Sequence, residues 1–219
     1  MTDGLTKEEI NRKLLHGLAV ILPIGIFYGP GHFEVHRNMA CFVIGALFLF
    51  SLSVEVVRLK NPSFHGWFSR CFGSMMRKQE TSELTGATYV LAGSAICSLI
   101  SLHDESAAAA SFLALTLFIL GDAVAALVGK GIGRIKVGNK TIEGALGCFI
   151  FCVLIAGVVF PQLSGFIANW GGKLTWGQII GVSATVSILE FIPLKLGKLV
   201  LNDNLYVPAV ASLVALTIR

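Results

Sequence analysis

The sequence has little charge for its 219 residues. Asp, Glu, Lys and Arg together make up 14% of the chain, whereas 54% of the residues are hydrophobic and the mean hydropathy is +0.76. Soluble domains of this length rarely have so few charged side chains, so the composition argues against a soluble enzyme and predicts a chain largely surrounded by lipid. The net charge of +4 then reflects one basic membrane face, and no nucleic-acid partner is expected.

We expect neither disulfide bonds nor additional domains in this chain. Four of the five cysteines fall in apolar segments and Cys71 falls in a polar connection, which is not the pattern of a disulfide framework. The sequence contains no low-complexity tract, no convincing repeat and no soluble appendage. We therefore expect a single integral membrane domain over residues 1–219, with the oligomeric state left open.

Long apolar segments dominate what is present. A helix needs roughly 20 residues to span a bilayer, and seven segments approach that length: 14–29, 38–57, 84–102, 107–128, 142–160, 175–194 and 205–218. Each is expected to be helical, because backbone groups in hydrocarbon must be hydrogen-bonded within the protein. The predicted fold class is an all-α polytopic membrane protein with about seven transmembrane helices. A cleaved signal peptide is the alternative for the first segment, but no small-residue cleavage site follows Tyr28.

The basic residues predict an orientation. Cytoplasmic loops carry an excess of Lys and Arg, and a cytoplasmic N-terminus leaves only Arg37, Lys173 and Arg219 of the 17 basic residues outside. The late loop with Lys195 and Lys198 would then lie inside. We expect any site formed by these loops to face the cytoplasm, in the inner membrane of a bacterium or an endoplasmic-reticulum-type membrane of a eukaryote.

One connection between apolar segments is amphipathic. From Pro62 to Glu80, apolar residues recur at helical spacing beside three basic residues; they are Phe64, Trp67, Phe68, Cys71, Phe72, Met75 and Met76, with Arg70, Arg77 and Lys78. This pattern is typical of a helix that lies in the membrane interface. A peripheral anchor and a gate for a lipid substrate are both open interpretations.

The carboxylates are concentrated on one side of the predicted topology. Seven lie at or just within the cytoplasmic ends of spans: Glu55, Glu80, Glu83, Asp122, Glu143, Glu190 and Asp203. Topology alone does not explain this, because acidic residues contribute little to membrane orientation. Asp122 lies inside an apolar run, where a carboxylate is a functional hypothesis by default. The distribution indicates a polar cytoplasmic site, suited to Mg²⁺ bound through carboxylates and substrate phosphates.

A glycine- and lysine-rich loop follows Asp122 along the chain. Glycines let backbone N–H groups approach phosphate, lysines supply positive charge, and Thr141 is a plausible N-cap for the next span. The residues expected to contact a nucleotide here are Gly129, Lys130, Gly131, Gly133, Asn139, Lys140 and Thr141. Asn139 breaks the register of a P-loop, which excludes that fold. A tight basic loop without nucleotide contacts is the alternative.

Three more polar groups lie at the ends of apolar segments. They are Arg12-Lys13-Leu-Leu-His16, Glu83 with Gly86, and the late group of Glu190 and Asn202-Asp203-Asn204. Each alone is explained by snorkelling basic side chains or helix caps. Together they are able to surround one site.

These motifs, taken in order, resemble a known family of membrane lipid kinases. The resemblance rests on Arg-Lys-x-x-His at the start, Gly-Asp-x-x-Ala-x-x-x-Gly at Gly121–Gly129, Lys-Thr-x-Glu-Gly at Lys140–Gly144 and Asp-Asn-x-x-x-Pro at Asp203–Pro208. The family contains dolichol kinase, phytol kinase and the CTP-dependent diacylglycerol kinase, and is distantly similar to CDP-diacylglycerol synthases. It implies transfer of the terminal phosphate of a nucleotide, usually CTP, to a lipid hydroxyl. It also implies that Arg12, Lys13, Asp122 and Gly129 are indispensable.

The working hypothesis is therefore a CTP-dependent lipid-alcohol kinase that acts on diacylglycerol or a polyprenol-type alcohol. Asp122, with Glu143 or Asp203, is expected to hold Mg²⁺ on the β- and γ-phosphates of CTP. Positive side chains should offset the charge on the transferred group; these are Arg12, Lys13 and Lys140. The candidate bases for the lipid hydroxyl are Glu83, Asp203 and Glu190, and Asn204 is grouped with the nucleotide-binding residues.

Two other activities remain open at this point. A cytidylyltransferase that joins CMP to phosphatidate would use the same metal, nucleotide and acids. A transporter would use Asp122 as an ion site, although transporter acids usually lie near the midplane at repeat interfaces.

Overall fold

A computed structural model describes residues 7–197 and 199–219 of the protein. Residues 1–6 of the expected single domain, and Lys198 of the basic loop, lie outside the described residues. The α-helices are α1 (Lys7–Leu18), α2 (Ile21–His32), α3 (Arg37–Lys60), α4 (Pro62–Phe72), α5 (Gly86–Ile100), α6 (Glu105–Gly131), α7 (Ile142–Leu154), α8 (Ser164–Trp170), α9 (Trp176–Phe191) and α10 (Asp203–Ile218). Two short hairpins, β1 (Lys136–Val137) with β2 (Lys140–Thr141) and β3 (Lys195–Leu196) with β4 (Leu199–Val200), complete the fold.

All seven apolar segments are helical, which confirms the all-α polytopic fold class. By length and composition, four helical stretches are able to cross a membrane: Ile10–His32, Arg37–Lys60, Glu105–Gly131 and Ile142–Gln162. The other three, α5, α9 and α10, are apolar helices of 15, 16 and 16 residues. The orientation of the helices relative to a cytoplasm stays a prediction.

The first apolar segment is interrupted, which the sequence analysis did not predict. A turn at Ala19 and Val20 separates α1 from α2. Pro23 lies four residues after Ala19 and has no N–H with which to continue the helical ladder. Instead, the N–H of Leu22 donates to the carbonyl oxygen of Ala19 at 2.9 Å. The tighter turn lies directly after the part of α1 that carries the basic motif.

The central element of the bundle is α6, whose 27 residues extend for about 40 Å. It packs against seven other helices: α1, α2, α5, α7, α8, α9 and α10. Its first half contains Ala107 to Ala110, all at most 1% exposed. Such small residues let neighbouring helices approach closely, which is how helices associate where lipid removes the usual hydrophobic driving force. Every other part of the site is therefore positioned relative to α6.

The periphery of the bundle is apolar. Along α3, Phe42 is 72% exposed and Phe50 is 68% exposed. A soluble protein does not normally expose so continuous an apolar surface. This face of α3 therefore fits contact with lipid chains.

The amphipathic connection forms a helix, but a shorter one than predicted. It begins after Asn61, whose side chain accepts from the N–H of Ser63 at 3.0 Å and of Phe64 at 3.1 Å, with Pro62 in the first turn. It ends before Gly73, and two 3-10 turns follow at Gly73–Met75 and Lys78–Thr81. The predicted helix to Glu80 is therefore wrong beyond Phe72, and the location of α4 in a membrane interface stays a prediction.

The two hairpins were not expected from the sequence. In the first, Gly138 has a φ of 61° at the first position of the two-residue turn, a conformation that favours glycine. The hairpin holds Lys140 directly before α7. The second hairpin ends shortly before Asp203, the first residue of α10, so both hairpins position polar residues at the same end of the bundle.

Candidate active site

Asp122 is the buried acid at the centre of the site. It lies on α6, and the whole residue is 8% exposed. The preceding residue, Gly121, faces α7 so closely that a Cβ atom there would lie 2.9 Å from both the Cys148 and the Cys152 sulfur atoms. Close packing of α6 on α7 thus keeps Asp122 inside the bundle.

The basic motif of α1 meets this carboxylate directly. Lys13 Nζ lies 2.6 Å from Asp122 Oδ2, and both side chains are nearly enclosed, at 5% and 12% exposed. His16 follows three residues later and therefore lies on the same helix face. Its Nε2 atom is 3.2 Å from the same oxygen, although it forms no hydrogen bond with any described residue. The Arg-Lys-x-x-His spacing thus directs two side chains to one acid.

A second lysine, Lys140 on β2, binds two further acids. Its Nζ atom is 2.7 Å from Glu190 Oε1 on α9 and 2.9 Å from Asp203 Oδ2 on α10, and it also donates to the Glu190 carbonyl oxygen. Burial favours the neutral amine of Lys140, but the charges of Asp203 and Glu190 outweigh it, so the pKa of Lys140 is raised. Lys140 is therefore a permanent cation at physiological pH.

The carboxylates of Asp122, Glu190 and Asp203 converge. Each offers an oxygen atom within 4.8 Å of the other two. Three carboxylates this close repel one another unless cations separate them, and here the ammonium groups of Lys13 and Lys140 do so. Oxygen donors of this kind suit Mg²⁺, which commonly binds one or two carboxylates together with substrate phosphates. The residues present therefore fit a divalent cation.

The glycines after Asp122 pack around Thr141. A Cβ atom on Gly129 or on Gly133 would lie 2.7 Å from Thr141 Oγ1, and one on Gly144 would lie 2.6 Å from the Ala125 carbonyl oxygen. Thr141 Oγ1 in turn accepts from the N–H of Gly144 at 3.1 Å, so it caps α7 as the sequence predicted. These glycines let the hairpin lie against α6, and that packing alone accounts for Gly133.

A polar cavity of about 480 Å³ opens over the acids. It includes most of the residues expected to bind a nucleotide: Arg12, Lys13, Asp122, Gly129, Lys130, Asn139, Lys140, Thr141 and Asp203. It also contains Glu190, Arg77 and Lys136. Six basic side chains beside three acids make this cavity suited to both cations and anions.

An apolar cavity of about 380 Å³ adjoins the polar one. It lies between α1, α4, α5 and the Gly73–Met75 turn, and its walls include Phe68, Phe72 and Met75. The two cavities share Arg12, Lys13, Arg77 and Asp122. Asn204, grouped with the nucleotide-binding residues in the sequence analysis, lines the apolar cavity instead.

Four predicted residues lie apart from the acids. Both oxygens of Glu143 accept from the N–H of Ile135 at 3.2 Å, which holds this half-buried acid at the base of the hairpin, and Glu143 is not part of the acid cluster. Glu83 is exposed, and its carbonyl oxygen accepts from Arg58 at 2.6 Å. Gly131 and Gly133 line neither of the two cavities.

Sequence reasoning gave no role to two residues near Asp122, His16 in the apolar cavity and Arg77 in both cavities. His16 was part of a motif without a function, although its spacing from Lys13 placed it on the same helix face. Arg77 was one of several basic residues in the amphipathic connection, and no pattern in the sequence distinguishes it from Arg70. Its position follows from the 3-10 turns after α4, which the periodicity did not reveal.

Comparison with other proteins supports the resemblance. The chain is 27% identical over 203 residues to an uncharacterised protein of Rickettsia prowazekii, covering 91% of this chain and 89% of that one. It is 26% identical over 181 residues to CTP-dependent diacylglycerol kinase 1 of Saccharomyces cerevisiae, covering 80% of this chain and 59% of that kinase. It is 29% identical over 158 residues to the protein of the same name from Schizosaccharomyces pombe, covering 68% and 67%.

These similarities extend well beyond the motifs, although the chain spans only 59% of the length of the Saccharomyces kinase. No family model matches the chain. No solved structure matches it significantly. The resemblance to membrane lipid kinases is confirmed over most of the chain, by homologues of 26–29% identity that are named CTP-dependent diacylglycerol kinase 1.

Proposed function

We propose that this protein transfers the γ-phosphate of CTP to the hydroxyl group of a membrane lipid alcohol. The observation that carries the proposal is the junction at Asp122 and Lys13, where a polar cavity with acids and basic side chains meets an apolar one. A kinase of this class must bring a charged nucleotide and an apolar alcohol to one point. The similarity to proteins named CTP-dependent diacylglycerol kinase supports the same reaction.

The nucleotide phosphates occupy the polar cavity in this proposal. Arg12, Lys13 and Lys140 offset the phosphate charge, with Lys130 and Asn139 at the rim. Phosphoryl transfer needs mainly alignment and charge neutralisation from the protein, and a water-poor site strengthens both. The buried ion pair of Lys13 and the partly buried ion pairs of Lys140 hold these cations in place before the nucleotide binds.

Asp122, Glu190 and Asp203 are the residues that would hold a divalent cation. Mg²⁺ bound there would neutralise oxygens of the β- and γ-phosphates. This assignment replaces Glu143, the other acid considered from the sequence, by Glu190, because Glu190 is in the cluster and Glu143 is bound to the hairpin backbone. Lys140 would shift from the carboxylates toward the phosphates as the cation enters.

In the transfer step, the lipid hydroxyl oxygen forms a bond to the γ-phosphorus while the bond from that phosphorus to the β,γ-bridging oxygen breaks. CDP leaves with the bonding electron pair, and the hydroxyl proton passes to a carboxylate of the cluster. Asp203 and Glu190 are the candidates, since Glu83 lines neither cavity. The proposal puts this site at the cytoplasmic face, where CTP is available.

Two labelled nucleotides test the reaction. Purified protein in proteoliposomes is incubated with Mg²⁺, a panel of lipid alcohols including diacylglycerol, and CTP labelled at either the α- or the γ-phosphorus. The kinase predicts γ-label in lipid and α-label in CDP. A cytidylyltransferase, given phosphatidate, would put the α-label in lipid and the γ-label in pyrophosphate. That second pattern, or no lipid product from any alcohol, would contradict the proposal.

A further inference from the structure

We propose that the apolar cavity binds the hydroxyl end of the lipid alcohol, with Asn204 Oδ1 accepting a hydrogen bond from that hydroxyl as the alcohol binds, before the hydroxyl turns its proton to a carboxylate of the acid cluster for the transfer step. This inference rests on the proposed kinase activity and assigns its acceptor site. Asn204 is the second residue of α10 and follows directly after Asp203 of the acid cluster. The cavity and the cluster are therefore two sides of one helix end.

The first support is an unpaired polar atom. Asn204 is 8% exposed, yet its Oδ1 atom has no hydrogen-bond partner among the described residues. Buried amide oxygens in native proteins are nearly always bonded, because leaving one unpaired costs the desolvation of the group. Asn204 lines the apolar cavity, so a hydroxyl group bound there supplies the missing donor.

The second support is the character of the walls. Around the polar end, the cavity is lined by apolar side chains, among them Leu22, Phe68, Met76, Val90 and Leu91. Methionine and phenylalanine adapt to irregular chains, and methionine is common at surfaces that bind varied apolar ligands. A water-soluble alcohol gains nothing from such walls, whereas acyl or isoprenoid chains do.

The third support is the rim of the cavity. Leu15 on α1 is 47% exposed, and Phe72 and Met75 on the opposite side are each 42% exposed. These three side chains continue the apolar surface from the cavity to the outside of the bundle. A lipid can therefore enter sideways from the bilayer with its hydroxyl leading, while its tail remains among other lipid chains.

A buried ion pair anchors the far wall. Arg58 on α3 is fully buried; its guanidinium lies 2.9 Å from Glu55 Oε2 through Nε and 5.6 Å from the centre of the Phe68 ring. Glu55 Oε1 accepts from Thr85 Oγ1 at 2.6 Å. Phe68 and Thr85 both line the cavity. The pair thus fixes two wall residues on α4 and before α5, which explains a buried ion pair far from the phosphate site.

The polar end determines the occupant. The apolar cavity ends at Lys13, His16 and Asp122, and two of these also line the polar cavity. A second protein chain or an unreactive lipid would leave that end unused. A lipid with a free hydroxyl matches both ends, because its hydroxyl meets Asn204 beside the acid cluster and its chains meet the apolar walls.

Kinetics of Asn204→Ala test the hydrogen bond. The KM for diacylglycerol or the preferred alcohol should rise about tenfold, the ratio that corresponds to losing one good hydrogen bond. The KM for CTP should stay within about twofold. The exposed Asn38→Ala at the far end of α3 is the matched control and should leave both constants unchanged. An unchanged lipid KM in Asn204→Ala would overturn the assignment.

Photocrosslinking tests the cavity without catalysis and without a variant. An alcohol with a diazirine a few bonds from its hydroxyl is irradiated with wild-type protein, and the labelled peptide is identified by mass spectrometry. Labelling of α1, of Phe68 to Arg77, of α5 or of Asn204, competed by unmodified alcohol, supports the inference. Labelling elsewhere overturns it, even where lipid phosphorylation is observed. Crosslinking in the cavity without any CTP-dependent lipid product would support the lipid-binding site and contradict the proposed kinase reaction.

Discussion

The two ends of α6 carry similar side chains in opposite surroundings. Near its start, Arg37 pairs with Glu105 at 2.5 Å, but the Glu105 side chain is 64% exposed. Near its other end, Lys13 pairs with Asp122 at 2.6 Å, and the Asp122 side chain is 12% exposed. Both are lysine or arginine pairs with an acid, and both join α6 to another helix. Only their burial differs.

The difference in burial distinguishes an ordinary surface ion pair from one that belongs to a functional site. An exposed ion pair contributes about 0–1 kcal/mol, because water already solvates both charges. A buried pair costs several kcal/mol of desolvation per ion before its attraction is counted, so stability alone is a poor reason to keep one. The chain keeps Asp122, Glu190 and Asp203 close together despite this cost. The costly end of α6 is therefore where function is expected.

The largest effect should come from Asp122→Asn. The substitution removes one carboxylate of the proposed cation site and leaves Lys13 without a counter-charge, so kcat for CTP-dependent lipid phosphorylation should fall by roughly 10³-fold or more. Glu105→Gln at the other end of α6 should retain close to full activity. Label transfer in proteoliposomes measures both. Near-normal turnover by Asp122→Asn would contradict the inference that the buried acid of α6 is functional and the exposed acid Glu105 is not.

Lys140→Ala should give the next effect. It removes the ammonium group between Glu190 and Asp203, and we expect activity to fall by about 10²-fold. The unscreened acids should also bind a cation more readily, so Mg²⁺ should raise the Tm of Lys140→Ala more than that of wild type. The exposed Lys173→Ala is the control and should match wild type in both measurements. If Mg²⁺ raised the Tm of Lys140→Ala and of wild type equally, the Lys140 ammonium group and the metal ion would not share the carboxylates of Glu190 and Asp203, which contradicts the account.

Gly133→Ala should reduce stability more than it reduces chemistry. The added Cβ would meet Thr141 and the Gly129 carbonyl oxygen, which requires the hairpin to move and costs about 1–3 kcal/mol. Thermal unfolding in detergent measures the loss. At Gly177 a Cβ meets nothing within 4 Å, so Gly177→Ala should leave the Tm nearly unchanged. A Gly133→Ala protein as stable as wild type, with lost CTP binding, would indicate a phosphate contact in place of packing.

The smallest perturbation is chemical labelling of Cys71, which tests orientation without a substitution. Cys71 is exposed near the acid cluster's end of the bundle, whereas Cys97, Cys148 and Cys152 are buried. A membrane-impermeant maleimide should label Cys71 only from the cytoplasmic side of sealed vesicles. A cysteine introduced by Asp104→Cys, at the other end of α6, should be labelled only from the opposite side. The reverse result would place the polar cavity outside the cell or in the lumen.

Hydropathy predicted the helices because a backbone in lipid must form its hydrogen bonds within the protein, which is a strong constraint on structure. Each of the seven apolar segments contains a helix, and helices and closed barrels are the structures that satisfy backbone groups in lipid. The break between α1 and α2 was missed because neither Ala19 nor Val20 is a helix-breaking residue, and Pro23, which prevents continuation, lies further on. The hairpins were missed because two-residue strands leave no periodicity.

The sequence proposes a set of candidate site residues, but it does not give the spatial arrangement of their side chains. The predicted topology put Lys13 and Asp122 at the same membrane face, and the concentration of acids on that side indicated a cation site. Which acids meet depends on packing: Glu190 joins the cluster from α9, whereas the hairpin's backbone N–H at Ile135 holds Glu143 away. No local pattern distinguishes these two glutamates, because the deciding partner belongs to an element that the sequence did not reveal.

Metal binding tests the proposed centre most directly. Mn²⁺ shares the oxygen ligands of Mg²⁺ and is observed by electron paramagnetic resonance. In the presence of CTP, we expect one tightly bound Mn²⁺ per chain in wild type and in Glu143→Gln, and its loss in Asp122→Asn and Asp203→Asn. Mn²⁺ binding that survives both aspartate substitutions, or that disappears in Glu143→Gln alone, would contradict the convergence of α6, α9 and α10 on a catalytic cation.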